Sequence, residues 1–153
     1  MNNPTQQFTN NKQNTYLEKF NGSFNSLLQW DDLTEFWRLL SRSEESWYIY
    51  TVGKLPPTEP TTSKIFISFI EEIDKLLRRE HDSRICGIVY SDNSKFPSIV
   101  KIYDPNNLGI SCGSSETPPL PGWVLSLDPP EDLEPVQILP NNRKRWWSRV
   151  LGN

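Results

Sequence analysis

The apolar positions along the chain follow two periods. From residue 63 to 80, Phe66, Phe69, Ile70, Ile73, Leu76 and Leu77 recur at helical spacing. Glu71, Asp74, Lys75, Arg78 and Arg79 lie largely off that stripe. The spacing predicts an amphipathic helix over 63–80, lying across a sheet. Glu71 with Lys75 and Asp74 with Arg78 stand four apart in the favourable order, each pair worth about 0.3 kcal/mol. A shorter helix is predicted from Leu33, Phe36, Trp37 and Leu40, ending near Ser43. Asp32 and Glu35 before and within it resemble a capping box. Phe20, Phe24, Leu27 and Leu28 also have helical spacing, but Asn21-Gly22 interrupts them, so a short or broken helix is expected there.

The second period is that of strands. Residues 46–52 (SWYIYTV) are aromatic and β-branched, and stop at Gly53. Both faces of that strand are apolar, so one is expected to be covered by helices and the other at least partly covered. Residues 54–61 form a Pro-rich connector. Residues 85–90 and 97–103 read as a hairpin around the turn residues Asp92 to Lys95. Residues 106–122 form a long Gly/Ser/Pro loop, and residues 123–127 (WVLSL) a last strand. The sum is an α+β fold. Its antiparallel sheet of about four strands is expected to be covered on one face by the long helix 63–80 and by short N-terminal helices.

Composition changes the picture at the two ends. Residues 1–14 are Asn/Gln-rich and nearly free of aliphatics, which predicts a disordered tail. A single domain over 15–128 follows. Residues 129–153 are expected to form an acidic, Pro-rich linker and then a basic amphipathic segment. Hydrophobic residues make up 35% of the chain and there are 13 prolines, so part of the length is not core. The net charge of −3 excludes a globally basic nucleic-acid binder. No apolar run reaches the ~20 residues of a membrane span. No charged-then-apolar leader opens the sequence, so a cytoplasmic protein is expected.

Candidate chemistry is sparse. Cys112 lies in the long loop among Gly and Ser, whose backbone N–H groups suit an anion. A thiol nucleophile needs a base, and the single histidine is His81, with Asp82 or Asp104 as the orienting acid. A cysteine-dependent enzyme, acyl-transfer or redox, is therefore an alternative reading. The bland reading is a loop cysteine and a histidine at a helix end. Cys86, between apolar strand residues, is expected to be a buried small hydrophobe. One His and two Cys make no zinc set, and no metal or other cofactor is expected. Asp104 to Asn107 fails the calcium-loop pattern and reads as an Asx turn. Phosphate-cradling glycine motifs are absent from the sequence.

The C-terminal segment suits docking. With residues 143–151 helical, Trp146, Trp147, Val150 and Leu151 gather on about 140° of arc. Lys144, Arg145 and Arg149 lie around the rest. Such a segment packs back against the acids of 128–134, enters a partner's groove, or lies on an anionic membrane. Arg143, Lys144, Arg145, Trp146, Trp147 and Arg149 are thus the candidate partner-binding residues. Nucleic acid ranks last, because the basic patch is short and the chain acidic.

The stretch from Arg79 to Pro129 carries a resemblance. Its parts are Arg79-Glu80-His81-Asp82, Cys86-Gly87-Ile88-Val89-Tyr90, the run Lys101 to Gly109, Ser111-Cys112-Gly113 and the run Pro119 to Ser126. Over about a third of the chain it resembles a small bacterial family of cyanobacterial type with no known activity. The resemblance implies a bacterial intracellular protein and assigns no functional residue. Taken together, the sequence predicts a small non-enzymatic protein that binds another protein, as an adaptor, assembly factor or regulator. Peripheral membrane association through the C-terminal segment is the second alternative.

Overall fold

The structure, a computed structural model, describes residues 15–108, 119–133 and 150. The chain begins there with helical residues 15–20 (α1). It continues through β1 (Asn25–Ser26), α2 (Trp30–Ser41), β2 (Tyr48–Thr51), α3 (Ser63–Glu80), β3 (Val89–Ser91) and β4 (Ile99–Ile102). A 3₁₀ turn (Pro105–Asn107) and β5 (Trp123–Ser126) follow. The mixed α+β architecture is the one the two periods predict.

Where about four strands are expected, the described residues form five, in the order β1-β3-β4-β5-β2, all antiparallel. The added strand is β1. It lies inside the segment read as a broken helix, because the i, i+4, i+7 spacing of Phe20, Phe24 and Leu27 serves two different surfaces. Phe20 and Phe24 pack with a small cluster built on Tyr16, Tyr50, Val52, Ile99 and Val124. Leu27 belongs to the larger cluster.

Strand alternation divides the sheet between those clusters. Ile49, Val89, Val100, Ile102, Trp123 and Leu125 join the buried stripes of α2 and α3 in the larger one. Tyr50, Ile99 and Val124 face the smaller one. Both faces are therefore apolar, and the N-terminal helices do not share one face: Tyr16 of α1 sits opposite α2. Leu133 also packs on the smaller cluster, Asp128 pairs with Lys19 at 2.7 Å, and the Tyr50 hydroxyl donates to Asp132 at 3.2 Å. The described acids of the 128–134 run therefore meet the second face of the sheet.

α3 starts at its Thr62 cap, whose hydroxyl accepts from the Ile65 N–H. α2 starts two residues before the expected cap: Asp32 accepts from the Gln29 N–H and is itself in the first turn. Of the two expected charge pairs on α3, Asp74–Arg78 forms at 3.0 Å, while Lys75 reaches Glu72 instead of Glu71.

Asp74 does more than pair. It also accepts from the Trp37 indole N–H at 3.1 Å, and Arg78 donates to the Thr34 hydroxyl at 2.8 Å and lies over the Trp30 ring. This joins α2 to α3. Asp74→Ala leaves the indole N–H of buried Trp37 without its acceptor. The expected loss is about 2 kcal/mol, measured by urea unfolding. A loss under about 0.5 kcal/mol contradicts the linking role.

Candidate functional site

The sequence-predicted chemistry separates as follows. His81 caps α3, and its ring lies 6.0 Å from that of Trp30. Nε2 is 3.0 Å from the Cys86 carbonyl oxygen. A carbonyl only accepts, so Nε2 carries the proton and only Nδ1 remains for other work. Asp82 beside it is exposed. Cys86 is free and buried, and burial pushes its thiol up, as expected of a small hydrophobe. Asp104 is buried and accepts from the Asn106 N–H at 2.9 Å, which is the Asx turn read from the sequence. Cys112 and the residues Arg143, Lys144, Arg145, Trp146, Trp147 and Arg149 lie outside the described residues. Val150, next to them, packs half-buried against the larger cluster. Among the described residues no group of acids, His and Cys could hold a metal ion. None of the described helices is long and apolar enough to cross a membrane.

A different site emerges at the β1 edge. Residues 25–28 are held against residues 86–91. Leu27 N–H donates to Val89 at 2.8 Å, Gly87 N–H to Leu27 at 3.1 Å, and Cys86 N–H to Leu28 at 2.7 Å. The departure from a regular ladder sits at Gly87, whose φ of 66° is the left-handed region that suits glycine. Asn25 faces Ser91 and Ser26 faces Tyr90 in the register. Since Leu27 turns its N–H toward β3, antiparallel alternation turns the N–H and C=O of Ser26 outward. β1 is a sheet edge, and both its residues are exposed.

That edge borders a groove of about 770 Å³. Asn25, Ser26 and Leu27 line one side, and Glu35, Arg38 and Leu39 of α2, with Arg42 at its C-cap, line the other. Arg38 pairs with Glu35 at 2.6 Å. Among the described residues Arg42 has no ion pair. Ser94 of the β3–β4 loop also lines it.

This loop is firmly built. Asp92 accepts from the Ser98 N–H, the Ser98 hydroxyl and the Ile99 N–H. Asn93 accepts from the N–H groups of Lys95 and Phe96. These are the turn residues that the sequence marked. What the sequence did not show is that they hold Phe96 out in solvent, 81% exposed. An aromatic fixed in water forgoes about 2 kcal/mol of burial, and such side chains anchor interfaces.

On the other face, behind β1, Lys101 of β4 stands between two rings. Its Nζ lies 4.0 Å from the ring centroids of both Phe20 and Phe24. Tyr90 is its cross-strand partner, and Tyr90 meets Tyr103 edge-on at 5.5 Å. Burial pushes the Lys101 ammonium down and the Tyr103 phenol up.

No family model, curated protein or solved structure matches this chain.

Proposed function

We propose that this protein binds another protein by adding an extended segment of it to the β1 edge. The carrying observation is the outward N–H and C=O of Ser26 beside the α2 groove. Strand addition takes its affinity from main-chain hydrogen bonds and its selectivity from pockets for alternate side chains. The groove supplies Leu39 for an apolar side chain and Arg42 for an acid. Phe96 supplies an anchor at the loop end. A protein built this way acts as an adaptor, assembly factor or regulator. The basic segment 143–149 carries no part of this reading.

The test is a peptide selected on the full-length protein from a random displayed library, with its affinity measured by fluorescence anisotropy. Ser26→Pro removes the outward N–H without touching the β1–β3 bonds, a position where an edge strand tolerates proline. Loss of that bond is expected to weaken binding about tenfold, while Ser26→Ala leaves it unchanged. Equal binding by wild type and Ser26→Pro overturns the reading, and so does failure to select any peptide.

A further inference from the structure

Among the described residues Phe96 is the one exposed aromatic. It is fixed rather than loose. Asn93 accepts from its N–H at 3.0 Å, and Asp92 accepts from the N–H groups of Ser98 and Ile99 just beyond. A side chain already held in place loses little further freedom on docking. Lys95 precedes it, exposed and, among the described residues, without an ion pair.

The same chain carries a receptacle. A cleft of about 300 Å³ lies between α2 and α3. Trp37 and Ile70, both buried, give it an apolar base. Glu71 also lines it, exposed and, among the described residues, without an ion pair, since Lys75 turns to Glu72. The cleft thus offers apolar space beside an unpaired acid. The loop offers an apolar ring beside an unpaired base. Arg38 and Arg42 line both this cleft and the β1 groove, and Ser94, two residues before Phe96, lines that groove too. Ring and cleft therefore lie on one side of the molecule, flanking the same two arginines. They are different patches of surface. One contact leaves a ring and a cleft unfilled, whereas a two-fold pair fills both at once.

We infer that a second copy of this chain occupies the cleft: Phe96 of each protomer enters between α2 and α3 of its partner, with Lys95 beside the partner's Glu71. The two buried rings carry the affinity, as central aromatic anchors do. The exposed charge pairs add little attraction but set which way round the ring enters. Two anchors make a small interface, so the dimer is weak and forms with rising concentration. A ring buried in a second copy is not free for a docked segment. That consequence rests on the strand-addition reading; the dimer does not.

Sedimentation velocity of the full-length protein, from roughly 5 μM to 1 mM, tests the pairing. Wild type is expected to pass from monomer to dimer within that range and to go no further. Phe96→Ser is expected to raise the dissociation constant at least about thirtyfold. Its ring is already in solvent, so the fold is expected to keep its melting temperature. Ser41→Trp, which fills the cleft from α2, is expected to do the same to the dimer. Lys95→Glu sets two acids against each other and is expected to weaken the dimer about fivefold, and adding Glu71→Lys to restore it. A monomer throughout overturns the pairing, as does equal association by Phe96→Ser. Loss in Phe96→Ser with none in a folded Ser41→Trp overturns the cleft as the receptacle. Growth beyond the dimer overturns the closed pair. No peptide enters any of these measurements, so their failure is distinct from failure of the docking reading.

Discussion

Replacing Phe69 with alanine is expected to lower stability by about 3–5 kcal/mol. Phe69 is wholly buried at the middle of α3, in the cluster that includes Val100, Trp123 and Leu125 of the central strands. Removing the ring forfeits its transfer free energy and leaves a space that close-packed neighbours fill only in part. A domain of this kind has about 5–15 kcal/mol in total, so the loss takes a large share of it. The melting temperature is expected to fall by roughly 10 °C. Urea unfolding followed by tryptophan fluorescence measures the change. A loss below about 1 kcal/mol contradicts the burial of Phe69 in that cluster.

Alkali is expected to unfold the protein from above pH ~10, and two buried phenols set that limit. Tyr50 is wholly buried, and its hydroxyl donates to Asp132. Burial, more than the nearby Asp132 charge, pushes Tyr50 up to about 12. Tyr16 is driven higher still, first by burial and then by the proximity of Tyr50 and Glu131. Both groups hold their protons more tightly folded than unfolded. Their contribution is therefore complete below the ordinary tyrosine value of about 10 and is lost as pH rises through the folded values. Each phenol ionised only in the unfolded chain costs roughly 1.4 kcal/mol per pH unit. Between pH 10 and 12 the two together remove about 3–5 kcal/mol. Among the described residues the buried Tyr16 hydroxyl has no hydrogen-bond partner. Tyr16→Phe is accordingly expected to cost nothing at pH 7, or to gain about 1 kcal/mol, and to move the alkaline midpoint upward. Circular dichroism against pH measures both effects. An unmoved alkaline midpoint, or a clear loss at pH 7, contradicts the assignment.

What could be read in the sequence follows from how local each element is. α3 runs over the residues its stripe predicts, because six apolar positions at one period leave a single burying face. β2, β4 and β5 were legible from aromatic and β-branched runs. β1 was not. Asn25 and Ser26 are polar and exposed, and they are a strand only because β3, about 65 residues further on, offers them partners. The same distance hid the site. Nothing local marks Ser26 as an open edge, since its status depends on which residue of the pair bonds inward. Lys101 was closer to being readable: in the run Ile99-Val100-Lys101-Ile102, alternation alone sets it on the face away from Val100 and Ile102. Its two ring partners come from a segment whose spacing suggested one helix face. His81 and Asp82 were found as chemistry-bearing residue types, but the local fold of 81–88 engages the imidazole with the Cys86 carbonyl. Composition carries no information on such a bond.

The most direct test of the docking edge is amide hydrogen exchange at single-residue resolution, on the full-length protein with and without a selected peptide. The account predicts that the Ser26 N–H exchanges freely in the unbound protein and becomes protected at saturation. The N–H of Leu27, already bonded to Val89, should change little. Protection confined to another surface, with Ser26 exchanging as fast as before, would contradict it.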